Sequence, residues 1–153
     1  MRLEFIHDHH HAVSEWQERE LYEWVTDVFA APAITLRRGC TNEIRSHIAS
    51  EFEGEGWALN VKIDQELRNT VFAIRDDLAF QIQTGNMSRA PYDLLKLQYL
   101  FQSKKISAAA FALPTKLASG KIGSNVAYFE RLCNELQLFD RVITVPILVV
   151  GFG

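Results

Sequence analysis

Apolar and polar positions recur at two different periods along this chain, and the change of period marks its elements. Residues 2–6 have the length of a short edge strand. From His11 to Ala30, residues Trp16, Leu21, Trp24, Val25 and Phe29 fall roughly on one face, which predicts an amphipathic helix ended by Pro32. Thr41 can cap a second helix, in which Ile44, Ile48 and Phe52 keep helical spacing until Gly54 and Gly56. Three strand-like runs follow at 57–63, 70–74 and 78–83, with Arg75, Asp76 and Asp77 turning the last two into a hairpin. In the third run Phe80 and Ile82 alternate with Gln81 and Gln83, so both amides leave the same strand face.

The second half is more apolar. Tyr92 to Gln102 reads as a helix and Ile106 to Leu113 as a strand closed by Pro114. Ser124 can cap a helix running to about Leu138, and Val142 to Phe152 is a final strand. Nearly unbroken apolar strands suit the centre of a sheet covered on both faces. The order predicts an α/β fold: a mixed central sheet flanked by helices, in which an antiparallel meander leads into right-handed parallel crossovers. One domain is expected over residues 1–153, with 1–34 a helical N-terminal segment and 35–153 the catalytic core.

Composition narrows the class. At 153 residues and 48% apolar, the chain can bury a sizeable core. The Ile143 to Phe152 run is too short to cross a membrane, and Glu4, His7 and Asp8 interrupt any signal-peptide pattern. Cys40 and Cys133 lack metal-type spacing, so both are expected to be reduced thiols of a cytoplasmic protein. Charge is unevenly spread. Residues 1–83 carry 8 basic and 15 acidic side chains, net −7; residues 84–153 carry 8 basic and 4 acidic, net +4. A polyanion would favour the second half, through Arg89, Lys96, Lys104, Lys105, Lys116 and Lys121, though a solvated lysine-bearing surface has the same composition.

Candidate chemistry gathers around the alternating run. Mg²⁺ prefers hard oxygen ligands, and two carboxylates on adjacent strands with a main-chain carbonyl between them form a minimal cage for phosphodiester cleavage. Asp64 closes the strand-like run 57–63 and fits the first carboxylate; position 81 fits the second, with the Ile82 carbonyl as third ligand and Gln83 beside the attacking water. An amide at 81 brings no negative charge, which weakens the metal. On spacing alone, hydrogen bonding at a sheet face accounts for both glutamines more readily than metal binding does. Asn86, Ser88 and Arg89 follow the strand and can meet phosphates or base edges; Lys96 lies further along the next helix, and Arg37 and Arg38 are further phosphate candidates. Glu66 can share the face of Asp64, and Asp76 and Asp77 suit a turn. His7, Asp8, His9, His10 and His11 offer neutral imidazoles for a transition metal. Cys133 reads as core.

The segments from Tyr92 to Lys96, Ile106 to Pro114 and Val145 to Gly151, with Arg38 to Ile44, Gly56 and Trp57, and Ile63 and Asp64 before them, resemble type II restriction endonucleases of the BglII/BamHI group. The resemblance covers roughly residues 35–153. It implies the PD-(D/E)XK nuclease fold, Mg²⁺ dependence and a homodimer cutting a short palindrome in double-stranded DNA. In that pattern Asp64 matches the metal aspartate, position 81 carries Glu, and position 83 carries Glu, Gln or Lys. Gln83 is therefore within range and Gln81 departs from it.

Two explanations stand: a nuclease inactivated by Glu→Gln at 81, or a natural relative that binds DNA or protein without cutting. On the first, Gln81→Glu is expected to restore Mg²⁺-dependent cleavage. A small-molecule enzyme on an unrelated α/β fold is the third reading. Loops near 35–41, 84–91 and 114–123 are expected to carry sequence specificity.

Overall fold

Six strands form one mixed sheet in the order β1-β6-β5-β4-β3-β2 in the computed structural model, which describes residues 1–66 and 68–153. The strands are β1 (Leu3–His9), β2 (Ala58–Lys62), β3 (Thr70–Arg75), β4 (Leu78–Ile82), β5 (Ala108–Pro114) and β6 (Ile147–Phe152). β2, β3 and β4 form the expected antiparallel meander, and β4, β5 and β6 run parallel to one another. β1 closes the far edge, antiparallel to β6. All residues of β5 and β6 are buried, as strands covered on both faces require.

The helices are α1 (Ala12–Glu18), α2 (Tyr22–Asp27), α3 (Thr41–Gly54), α4 (Ala90–Gln102), α5 (Lys116–Ile122) and α6 (Phe129–Leu138). The single helix expected from His11 to Ala30 is two. The chain leaves the helix at Arg19, and Glu20 takes a left-handed φ of 56°, which a long helix does not accommodate. Within residues 1–34 the expected edge strand is β1, which belongs to the sheet, and Trp16 of α1 donates its indole N–H to the Ala109 carbonyl of β5 at 3.1 Å. The run 114–123, expected as a loop, contains α5, capped by the Thr115 hydroxyl. The last helix starts at Phe129 rather than after Ser124, because residues ahead of it make an extended bridge from Val126 to Asn86. The final strand likewise begins at Ile147, later than Val142.

Two apolar layers sandwich the sheet. One gathers α1, α2 and α3 around Trp16, Phe29, Ile44, Ile48, Phe52, Phe80 and Phe152; the other packs α4 and α6 on Val71, Ala79, Phe111 and Val149. Alanines at 108, 109, 110 and 112 in β5 keep its surface low enough for bulky helix residues. At Gly151 a Cβ would lie 2.9 Å from the Phe129 ring, so β6 needs glycine where α6 crosses it.

The hairpin that carries β4 is clipped to α1. Arg19 forks onto Asp77, with Nε donating to Oδ1 at 2.9 Å and Nη2 to Oδ2 at 2.5 Å. That fork holds the Asp77 carboxyl down at about 2. The folded-state value is depressed, so the contribution is complete above the ordinary aspartate value and lost as pH falls from about 4 to about 2. Asp77→Asn should therefore cost roughly 1 kcal/mol or less at pH 7, since the pair is partly solvated. Denaturation midpoints of the two proteins, measured against pH, should converge near pH 2.

Candidate functional site

Antiparallel pairing sets the end of β4 beside the start of β3, and α3 and α4 approach this end from opposite faces of the sheet. Between them opens a cavity of about 490 Å³. Phe80 and Ile82 point into the aromatic layer under α3, while Gln81 and Gln83 leave the other face, as the alternation predicts.

Both glutamines line the cavity and both are buried. The Gln81 Oε1 accepts from the Phe72 backbone N–H at 3.0 Å, filling the gap where the β3–β4 ladder ends. Gln83 donates from Nε2 to Asp93 Oδ2 at 2.6 Å and accepts from the Gly85 N–H at 2.9 Å. Asp93, on the first turn of α4, is only 3% exposed. Its other oxygen lies 2.6 Å from Lys96 Nζ, which also donates to the Thr70 carbonyl at 2.8 Å. One carboxylate thus has both oxygens engaged before any ligand arrives.

Arg45 reaches the same cavity from α3. Its guanidinium carbon sits 5.1 Å from the centre of the Phe72 ring, and Nη1 is 3.4 Å from the Ile82 carbonyl oxygen, a long contact. Burial pushes its pKa below the ordinary arginine value, with Asp93 pulling partly the other way. Arg68 and Arg89 add two exposed cations to the lining. The cavity therefore carries four cations, Arg45, Arg68, Arg89 and Lys96, against the single carboxylate of Asp93.

Asp64 is not brought to Gln81 and Gln83. It follows β2, the outermost strand, and lines a separate cavity with Lys62, Glu66 and Lys105. β3 stands between β2 and β4, which separates strand ends by two spacings, roughly 10 Å. Asp64 Oδ1 accepts from the Glu66 N–H at 2.8 Å, the pattern of a local turn, so Glu66 shares its loop and not the site. The residue that faces Gln81 on the neighbouring strand is Phe72, whose ring packs against Phe52 and Phe80.

Mg²⁺ does not fit this donor set. It calls for carboxylates, and the cavity offers one, already ion-paired, beside four side-chain amides and three further cations. The Ile82 carbonyl, expected as a ligand, faces the Arg45 guanidinium instead.

The remaining expectations divide. Lys96 and Arg89 line the cavity. Asn86 and Ser88 do not; the Asn86 side chain accepts from both Ser88 N and Ser88 Oγ, each at 2.9 Å, and caps the 3-10 turn ahead of α4. Arg37 pairs with Glu43 at 3.2 Å, and Arg38 is exposed outside the cavity. Asp76 takes the left-handed turn position and Asp77 anchors Arg19. His9 and His10 come together with Asp140, but each imidazole Nε2 bonds a main-chain carbonyl, of Ile143 and Asp140 respectively. Cys133 is core, its thiol pushed up to about 12 by burial.

Arg45, Asp93, Arg68 and Phe72 were missed. For Phe72 a signal existed: Gln81 lies as far beyond Asp77 as Phe72 lies before Asp76, so the turn itself sets them opposite. For Asp93 the cue was a carboxylate in the first turn of a helix following the strand.

Comparison with known proteins was informative at the level of family and of fold. The family model described as restriction endonuclease BglII/BglIII matches residues 5–152. A solved structure of restriction endonuclease BglII complexed with a DNA 16-mer superposes with a TM-score of 0.84 at 15% identity, covering 100% of this chain and 78% of that one. Free BglII gives a TM-score of 0.71 at 18% identity, covering 100% and 80%. None of the curated proteins compared matches this chain.

The buried carboxylate can be tested apart from any ligand. Asp93→Ala should cost about 3–5 kcal/mol, because it strands Lys96 in a site where its side chain is only 11% exposed. Replacing both partners by apolar residues, Asp93→Leu with Lys96→Met, should recover much of that loss. Denaturant midpoints of the three proteins measure both effects.

Proposed function

This chain belongs to the restriction endonuclease BglII/BglIII family, a family of type II site-specific deoxyribonucleases, and we propose that it engages duplex DNA with Mg²⁺-dependent cleavage disabled. The BglII-like fold of the PD-(D/E)XK type and the basic cavity at the strand ends support this reading. The DNA 16-mer in the solved BglII complex supports a duplex as partner, and the basic cavity suits its phosphate backbone.

The observation that carries the disabled cleavage is the pairing of Phe72 with Gln81. Two facing positions on adjacent strands would have to supply negative charge, and this chain puts a core aromatic at one and an amide at the other. Gln81 alone is therefore not the whole departure. Gln83 is engaged by Asp93 and stands away from any water-activating role.

Binding follows from chemistry that needs no metal. Arg89 and Lys96 from the start of α4, Arg68 from the β2–β3 loop and Arg45 from α3 offer donors to phosphate oxygens. A homodimer on a two-fold symmetric site, acting in the cytoplasm, completes the proposal.

Short mixed-sequence duplexes should be retained in EDTA at low salt, with affinity falling as salt rises. Supercoiled plasmid should stay intact with the wild-type protein in Mg²⁺ or Mn²⁺. Gln81→Glu alone should leave it intact, whereas Phe72→Asp combined with Gln81→Glu should begin to nick it if the double variant melts cooperatively. Loss of duplex retention at low salt sinks the DNA reading; cleavage by the unaltered chain sinks the disabled one.

A further inference from the structure

The charges around the cavity are those of an anion site. Arg45, Arg68 and Arg89 come from three separate elements, and none makes an ion pair with a carboxylate among the described residues. Lys96 is neutralised by Asp93, and Gln81 and Gln83 contribute dipoles only. Three guanidiniums on the lining of one cavity, with the single Asp93 carboxylate shared between Lys96 and a weaker pull on Arg45, leave an excess of positive charge that a bound anion relieves and a divalent cation worsens.

Arg45 is the centre of this arrangement. Its Nη1 lies 3.4 Å from the Ile82 carbonyl oxygen, the main-chain atom that a metal cage at this strand end would use, and its guanidinium stacks over the Phe72 ring. A guanidinium offers a planar fork that matches two phosphate oxygens, whereas Mg²⁺ binds them through a charge that must itself be held by carboxylates. The neutral side chain at 81 belongs to the same logic. A carboxylate there would draw the Arg45 guanidinium to itself and reduce the cavity's attraction for an anion.

We infer that Arg45 replaces the metal in this chain, so that the cavity binds a phosphate group directly, through arginines, without any divalent cation. The group is a phosphate monoester, a phosphodiester of a nucleic-acid backbone, or free phosphate, since the three share the oxygens that arginine reads. The inference deepens the proposal that this face meets DNA.

Calorimetric titration of the EDTA-treated full chain with inorganic phosphate, and separately with a short duplex, tests it. Phosphate should saturate a single site, Mg²⁺ should not tighten it, and Arg45→Gln should weaken it about tenfold or more. Arg2→Gln, on an exposed side chain outside the cavity, should leave it unchanged. If Arg45→Gln melts abnormally, the exposed pair Arg68→Gln with Arg89→Gln must weaken phosphate instead. No phosphate binding, binding indifferent to these arginines, or a requirement for Mg²⁺ overturns the inference. Duplex that binds in EDTA but neither competes with phosphate nor responds to Arg45→Gln also overturns it, and leaves the DNA proposal intact. Phosphate that binds through Arg45 while duplex does not bind at all supports the site and removes DNA as its source.

Discussion

A single carboxylate ties together the elements around the cavity. Asp93 projects from the first turn of α4 and takes Gln83 of the segment after β4 on one oxygen and Lys96 on the other. Lys96 in turn hangs on the Thr70 carbonyl at the start of β3. The start of β3, the segment after β4 and the first turns of α4 therefore meet through one buried ion pair, in contacts of 2.6 to 2.8 Å. Buried ion pairs of this kind seldom add much net stability over apolar packing, because both ions lose their water. What they add is register: α4 can slide on the sheet only by breaking them.

Much of the fold was legible in the sequence because its periods are clean. The hairpin at Asp76 and Asp77, the alternation of Phe80 and Ile82 with Gln81 and Gln83, and the all-apolar central strands each follow from local pattern and reappear in the structure. The errors came where backbone conformation outweighed pattern. Trp16, Trp24 and Val25 do share one apolar layer, yet Glu20 interrupts the helix that would join them. α5 is short and its sequence carries a central glycine, so its periodicity was too weak to register.

The site was half legible. Strand alternation located Gln81 and Gln83 correctly on one face, and helix position located Lys96 and Arg89 near them. A carboxylate at the end of a strand-like run makes Asp64 a candidate, but sequence proximity to a strand end says nothing of strand order. β2 is an edge strand, and β3 lies between it and β4. Arg45 could not be placed at all from pattern. It lies on α3 beside the apolar stripe of Ile44, Ile48 and Phe52, and only tertiary packing brings it to the end of the sheet, over Phe72.

Phe72 belongs to the aromatic layer of Phe52 and Phe80, and this membership governs which sequences lie within easy reach of the present one. A carboxylate at 72 alone removes a core ring and leaves a charge beside Arg45 with nothing to coordinate; a carboxylate at 81 alone pairs with that same arginine. Neither single step brings a metal closer, and the first costs stability of the order of a large-to-small core change. The aromatic side chain thus acts as a ratchet: drift at neighbouring surface positions can retune what the cavity holds, while the path toward a two-carboxylate centre opens only to coordinated changes.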